Sequence, residues 1–343
     1  MDKRIILASA GSGKTTYLVE QIPKDKRVLI LTYTENNIYN LHENIINKFG
    51  YFPENIKLQT YFTFLYSFCI QPFLMDEYNL NGLLFKQNLN IYAKDDDRYL
   101  TKRKYLFYNR AAKFIEIKGL NNNINMRLEK YFHSLFIDEI QDFAGNDFNF
   151  LEQISNSNIN LLFVGDFYQH TYDTSRDGNV RKNLYKNFND YKTIFSKLGF
   201  IVDEKTLIKS YRCSTQICNY INNYLKINII SRRNDSTDIK LIDNQIEIDN
   251  IMQNQEIIKL FYQEYYKYKC KSKNWGDCKG ENKYKDVCVV LNKTTYDYYI
   301  KNKLHELPST TLNKLYVAIS RAHGHVYFII ESDISEYKKH KSN

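Results

Sequence analysis

Lys14, Thr15 and Thr16 follow directly on the small-residue run Ala8-Ser9-Ala10-Gly11-Ser12-Gly13, and this order suits the holding of phosphate. Glycines at 11 and 13 let the backbone curl until its N–H groups point inward at phosphate oxygens. Lys14 then reaches the β- and γ-phosphates of a nucleotide, and the Thr15 hydroxyl is placed to bind Mg²⁺. Ala10, Gly11, Ser12, Gly13, Lys14, Thr15 and Thr16 are the candidate nucleotide-binding residues. Ala8 stands where the pattern has its first glycine, a change tolerated where no unusual φ is needed.

A second group of reactive residues closes an apolar run, Ser134-Leu135-Phe136-Ile137-Asp138-Glu139-Ile140-Gln141-Asp142. Asp138 is the expected Mg²⁺-shell carboxylate, and Glu139 the group that positions or deprotonates an attacking water. Gln141 and Asp142 are expected to couple the site to neighbouring loops. A third run, Leu161-Leu162-Phe163-Val164, leads into Gly165-Asp166-Phe167-Tyr168-Gln169. The Gln169 amide suits a sensor that hydrogen-bonds both water and a terminal phosphate.

These groups need a scaffold that ends several strands at one edge. Residues 4–7, 27–32, 56–60, 134–138 and 161–164 read as buried strands, separated by helical stretches, which is the pattern of a parallel α/β sheet. Such sheets bind ligands beyond the carboxyl ends of their strands, where all three groups fall. Between strands two and three, Ile38, Leu41, Ile45 and Ile46 recur at helical spacing, and Gly50 is the expected stop. Residues from about 70 to 130 are polar and weakly periodic and are expected to form an inserted helical subdomain. Its clusters Asp95-Asp96-Asp97 and Lys102-Arg103-Lys104 read as solvated surface. Residues 184–200 read as helix and 206–208 as extended chain crossing into a second domain.

Length and charge set bounds on this reading. A chain of 343 residues has room for two domains. The net charge of +9 fits a polyanionic partner, although solubility accounts for it almost as well. Six cysteines without a C-x-x-C pair point to reduced thiols in a cytosolic protein rather than a disulfide framework. No stretch approaches about 20 apolar residues, and the short apolar run after Lys3 and Arg4 is too brief for a signal peptide. The expectation is a soluble, cytoplasmic protein without a membrane partner.

Three further strings extend the order: Tyr211-Arg212, Cys278-Lys279-Gly280-Glu281 and Val317-Ala318-Ile319-Ser320-Arg321-Ala322. With the D-E-x-Q-D group and the phosphate loop, the set resembles a superfamily 1 helicase of the UvrD/Rep type, in a compact form with reduced insertions. The resemblance covers both halves of the chain. It implies an α/β fold of two RecA-like P-loop domains with parallel sheets flanked by helices and ATP in a cleft between them. The expected domains are residues 1–178, with about 70–130 as the helical insertion, and 179–343.

The resemblance also implies roles. Arg212 and Arg321 match arginines that neutralise charge on the transferred phosphoryl, with Glu139, Gln169 and Lys14 completing the catalytic set. Tyr211 matches an aromatic that stacks on the nucleotide base, and Glu281 a carboxylate near its ribose. Tyr33 matches a base-pocket aromatic. With Thr34, Thr60, Phe62 and Tyr172 it forms the expected nucleic-acid path, where bases stack on aromatic rings.

Some positions depart from the family. Thr174 stands where relatives carry a Trp and Phe62 where a His is common, with Tyr172, Arg176 or Arg181 as compensating contacts. Asn274 and Gly276 replace a Thr and a His. The short separations between Thr60 and Asp138 and between Arg212 and Lys279 imply reduced insertions, with a remnant around residues 225–270. The implied function is a Mg²⁺-dependent ATPase that moves on single-stranded DNA or a single/double-strand junction, in the 3′→5′ sense. The alternative is a DNA-stimulated ATPase that senses DNA and regulates a partner nuclease without unwinding. A P-loop kinase acting on a small molecule is disfavoured by the paired arginines in a second domain.

Overall fold

The computed structural model describes residues 2–88, 90, 92–171 and 179–339. Among these, contacts divide the chain into two compact units. The first takes residues 2–7, 14–165 and 179–203, the second 8–13, 166–171 and 204–339.

The first unit is built on a six-stranded sheet. Its strands are β1 (Lys3–Leu7), β2 (Val28–Thr32), β3 (Ile56–Thr60), β6 (Ser134–Asp138), β7 (Asn160–Gly165) and β8 (Ile201–Asp203), in the order β3-β2-β6-β7-β1-β8. Every pairing is parallel. β2 and β6 are buried at all five positions, because helices cover both faces of a parallel sheet and leave no polar side. β3 lies at the edge, and its last three residues are half-buried. Helix α1 (Lys14–Glu20) follows β1, and α2 (Glu35–Phe49) follows β2. Gly50, at φ 78°, ends α2 in the left-handed conformation expected of a helix stop.

The inserted region is not wholly helical. It holds a parallel pair, β4 (Gly82–Leu84) and β5 (Tyr105–Phe107), beside helices Gln71–Tyr78, Ala111–Ile117 and Asn121–Tyr131. The helix expected over 184–200 is shorter, Phe188–Lys197, because the Asn187 side chain accepts from the N–H groups of Asn189 and Asp190 and fixes its start there. Since β8 pairs with β1, residues 179–203 cluster with the first unit rather than with the second, where they were expected.

The second unit carries a five-stranded parallel sheet. It comprises β11 (Ile239–Leu241), β12 (Ile258–Phe261), β13 (Ser272–Asn274), β14 (Val287–Leu291) and β15 (Val326–Ile330), in the order β11-β15-β14-β12-β13. A separate short parallel pair joins β9 (Lys209–Ser210) and β10 (Ile230–Ser231). The extended segment expected at 206–208 therefore falls slightly later, at β9. Residues 225–270 are not the remnant of an insertion. They supply β11, β12 and helix Gln245–Gln253, whose Ile248, Ile251 and Met252 are buried in one cluster with Phe261, Cys288 and Ile329.

No helix among the described residues is long and apolar enough to cross a membrane. The described cysteines are all unpaired thiols.

Candidate active site

In the first unit, the carboxyl edge of the sheet brings Lys14, Thr15, Asp138, Glu139 and Gln141 together. β6 ends at Asp138, which is 2% exposed. Its carboxylate accepts a hydrogen bond from the Thr15 hydroxyl at 3.2 Å and another from the Glu139 N–H at 3.1 Å. Lys14, at the start of α1, places its ammonium 3.8 Å from the Glu139 carboxylate. The Gln141 amide donates to the same carboxylate.

Glu139 sits in the left-handed region at φ 56°, ψ 48°, a conformation that is uncommon for a residue with a side chain and concentrates at functional turns. It turns the chain straight from β6 into the short 3₁₀ turn Ile140–Asp142. Gly165 at the end of β7 allows that turn to lie close. A Cβ there would fall 2.3 Å from the Gln141 Oε1 and 2.6 Å from the Ile140 Cγ2.

Burial and the neighbouring Glu139 charge push the Asp138 carboxyl up to about 7, against the pull of Lys14, Thr15 and the Glu139 N–H. Lys14 offsets the Glu139 charge, but the fully buried Asp138 carboxylate remains costly to ionise without a cation of its own. Thr15 and Asp138, both oxygen donors, fit Mg²⁺. No cluster of three or more His, Cys, Asp or Glu side chains suited to a metal occurs among the described residues. An ion here would therefore rely on one carboxylate, one hydroxyl and oxygens from outside the protein, which is how Mg²⁺ is usually held at phosphate sites.

The second unit holds residues 8–13 of the phosphate loop. Gly11 and Gly13 adopt φ 69° and 85°. A Cβ on Gly11 would lie 2.6 Å from the Arg212 Cβ, so glycine is required both by conformation and by space. The Tyr211 N–H donates to the Gly11 carbonyl at 2.8 Å, and the Ser12 hydroxyl to the Ser9 carbonyl at 2.8 Å. Tyr211 itself is 56% exposed. The Arg232 guanidinium lies 4.6 Å from its ring centroid, and the ring edge is 3.8 Å from where a Gly13 Cβ would stand.

Arg212 and Arg321 are buried. Arg212 donates to the Ser320 carbonyl at 3.1 Å and to the Asn282 side-chain oxygen, and Arg321 donates to the carbonyls of Val317 and Glu281, both at 3.3 Å. Neither is paired with a carboxylate among the described residues. Burial, and then the charge of Arg321, lower the Arg212 pKa to about 10. The Arg233 guanidinium braces this turn by donating to the carbonyls of Arg212 and His323. The Glu281 carboxylate is engaged by Lys273 at 2.7 Å, by Lys283 at 3.3 Å and by the Tyr284 hydroxyl. Burial would push its pKa up, but these donors outweigh it and hold it below the usual carboxylate range.

Gln169 is 3% exposed and donates to Asp166 at 2.9 Å. The same carboxylate oxygen accepts from the Tyr316 hydroxyl at 3.0 Å, whose oxygen in turn accepts the Ala10 N–H at 2.9 Å. Tyr316, on helix Ser309–Ile319, is fully buried; the sequence reading does not single it out, although it immediately precedes Val317-Ala318. Its signal is an aromatic with a polar tip within the fully buried end of its helix, Leu315–Ile319.

The expected nucleic-acid residues are placed at the ends of β2 and β3. Thr34 caps α2 by accepting from the Asn37 N–H, and Thr60 caps the turn Tyr61–Phe64 by accepting from the Thr63 N–H. The Tyr33 and Tyr61 hydroxyls both donate to Asp147, at 3.2 and 3.1 Å. Phe62 is only 8% exposed and is ringed by Tyr33, Tyr61, Phe85 and Tyr108. Arg181 is engaged with Asn149 and Glu152. Tyr172, Thr174 and Arg176 lie outside the described residues.

A parallel sheet with a phosphate loop after its β1 strand and a carboxylate pair after β6 defines the class of P-loop nucleoside triphosphatases. Two family models narrow it. The AAA domain model matches residues 2–175, and the viral superfamily 1 RNA helicase core domain model matches residues 119–330; each spans more than half of the chain. The chain belongs to the superfamily 1 helicases, a family of ATP-hydrolysing enzymes.

Among curated relatives, an ATP-dependent helicase/nuclease subunit of Clostridium beijerinckii is 23% identical over 219 residues, covering 50% of this chain and 17% of that protein. Among solved structures, the arterivirus nonstructural protein 10 helicase in complex with DNA shares the fold with a TM-score of 0.52 at 13% identity, covering 98% of this chain and 63% of its own. A second crystal structure of that arterivirus helicase gives 0.49 at 13% identity, covering 98% and 62%. The chain thus spans less than two thirds of each relative.

Proposed function

We propose that this chain is a Mg²⁺-dependent ATPase of the UvrD-like group that converts hydrolysis into movement along single-stranded DNA. The observation that carries the reading is the set Lys14, Thr15, Asp138 and Glu139 at one sheet edge, with Glu139 turned out by its left-handed backbone. Lys14 and the loop N–H groups bind the phosphates. Thr15 and Asp138 would hold Mg²⁺, which would supply charge neutralisation for the phosphates. Glu139, held by Gln141, takes the proton of the attacking water, and Gln169 orients that water. Arg212 and Arg321, buried with no carboxylate partner among the described residues, are the cations that neutralise the charge developing on the transferred group. Tyr211 offers its exposed ring to the base, with Glu281 near the ribose.

UvrD-like character is supported by the Asp138-Glu139-Ile140-Gln141-Asp142 form and by the helicase/nuclease relative. The 3′→5′ direction follows that group. The match to a viral RNA helicase core makes RNA the competing strand. The decisive experiment measures ATP turnover alone, with oligo(dT) and with oligo(rU), for the wild type and Glu139→Gln. Stimulation by oligo(dT) that Glu139→Gln abolishes is expected. Turnover indifferent to either oligonucleotide, or retained by Glu139→Gln, rejects the reading.

A second reading is favoured by the short insertion between Thr60 and Asp138: a DNA-sensing ATPase that regulates a partner nuclease and does not unwind by itself. Displacement of a strand from a tailed duplex by the purified chain counts against it.

A further inference from the structure

The insertion carries an exposed aromatic with no role in nucleotide chemistry. β4 and β5 run parallel in the register Gly82↔Tyr105, Leu83↔Leu106 and Leu84↔Phe107, which brings the next residues, Phe85 and Tyr108, side by side. Their rings stack at 5.7 Å with an interplanar angle of 21°. Both meet the Phe62 ring edge-on, at 5.4 and 5.5 Å, and Phe62 meets Tyr33 edge-on at 5.2 Å. A continuous file of rings therefore runs from the carboxyl ends of β2 and β3 to Phe85. The inner members are buried or half-buried, but Phe85 is 65% exposed. Leaving so large an apolar ring in water is unfavourable, and its tight support fixes it in place rather than letting it fold away.

The other end of the same strand pair is basic. The turn before β5 presents Lys102, Arg103 and Lys104, all exposed, and Asn81 pins it by hydrogen bonds to the carbonyls of Arg103 and Lys104 at 2.9 and 3.0 Å. Lys86, beside Phe85, is also exposed. From Asn81 to Phe85 the strand covers about 13 Å at ~3.3 Å per residue, a span bridged by a short run of nucleotides. An open aromatic face with cations along one strand direction is the arrangement that suits a flexible polyanion bearing flat rings.

We propose that Phe85, braced by Tyr108 and Phe62, is a stacking platform for an unpaired base of single-stranded DNA, with Lys102, Arg103 and Lys104 holding the adjoining phosphates. This rests on the reading of the chain as a single-strand-dependent ATPase. It moves the contact outward from Phe62, whose ring is closed in by its neighbours, to the ring that Phe62 supports.

The test uses the full chain and oligo(dT) carrying one 2-aminopurine. Fluorescence anisotropy is expected to show Phe85→Ala losing about 5- to 100-fold in affinity, the range for one stacked base, with Phe85→Trp retaining wild-type binding. Wild-type binding should quench the 2-aminopurine, and Phe85→Ala should relieve the quenching. Replacing Lys102, Arg103 and Lys104 by Ala should lower the slope of log affinity against log salt by up to about 2. Affinity of Phe85→Ala within twofold of the wild type would overturn the platform and assign the ring to another contact, such as a protein, while leaving the ATPase reading intact. Equal losses in Phe85→Ala and Phe85→Trp would also overturn stacking. A wild type that neither binds oligo(dT) nor is stimulated by it would bring down both proposals together.

Discussion

The carboxylates at the end of β6, with Asp138 buried and Glu139 half-buried, and the buried pair Arg212 and Arg321 balance charge in opposite ways. Asp138 and Glu139 sit beside Lys14, Thr15 and Gln141, so the first unit supplies its own cation and donors. Arg212 and Arg321 are held by carbonyls and one side-chain amide, with no carboxylate among the described residues. The second group therefore has an excess of positive charge with no carboxylate counter-ion among the described residues. An anionic ligand would supply the missing negative charge, which is a physical reason for the arginine pair not to be completed from the protein.

Removing an arginine probes the side with excess charge and should give the largest effect. Arg321→Ala is expected to lower kcat by about 10³–10⁵-fold, the range for an arginine that stabilises phosphoryl transfer. Arg321→Ala also leaves a cavity and two carbonyls without their donor, so the melting temperature is expected to fall as well, and kcat is compared at a temperature where the variant is fully folded. A kcat within tenfold of the wild type would show that the arginine pair serves structure instead.

The opposite side is tested through Asp138. Its pKa is raised from 3.8 to about 7, so its contribution to stability is fully present below pH 4 and is lost as pH rises through 7. Without Mg²⁺, the wild type should thus lose stability between about pH 4 and 7. Asp138→Asn should lack this decline and be more stable at pH 8 by up to about 4 kcal/mol, while losing ATP turnover. Urea unfolding across that range reads the difference. Parallel pH profiles for the two proteins would mean that Asp138 is already neutralised by Lys14, and the contrast between the two groups would fail.

Gly165 tests how tightly the carboxylate turn is fitted. Gly165→Ala drives a methyl into Gln141 and Ile140, and is expected to cost about 1–3 kcal/mol as overpacking. Turnover should drop as well, since Gln141 holds Glu139. Unchanged unfolding would show that the turn yields freely.

The two groups are not equally legible in the sequence. Asp138 and Glu139 are readable because they close an apolar run, and Lys14 because it closes the glycine-containing loop that follows one, so the strand pattern and the chemistry point to one place. The left-handed turn at Glu139 is not, since nothing in a glutamate announces positive φ. The arginines are identifiable only through the order of motifs; alone, each reads as a surface cation, whereas Arg321 is 2% exposed. β11 and β12 read as part of an insertion because short strands between polar segments give little periodicity, and parallel pairing across distant residues leaves no local mark. Tyr316 escapes notice for a related reason: its hydroxyl meets Ala10, 306 residues away in sequence, and no spacing rule reports so distant a bond.

That bond also gives the smallest and most discriminating prediction. The Tyr316 oxygen accepts the Ala10 N–H and its proton goes to Asp166, whose carboxylate also receives Gln169. One hydroxyl thus ties the start of the phosphate loop to the candidate sensor within the second unit. Tyr316→Phe keeps the ring and its edge-on contact with Tyr168, but leaves a buried N–H without an acceptor and Asp166 without one donor. The expected cost is about 1–2 kcal/mol of stability. Because the loop and sensor are loosened while both arginines remain, KM for ATP should rise several-fold with a smaller change in kcat, the reverse of Arg321→Ala. Steady-state kinetics of the two variants, side by side, separate a residue that shapes the phosphate loop from one that acts on the transferred group. If Tyr316→Phe lowers kcat as deeply as Arg321→Ala and leaves KM unchanged, the hydroxyl acts with the arginines in the chemical step rather than in loop positioning.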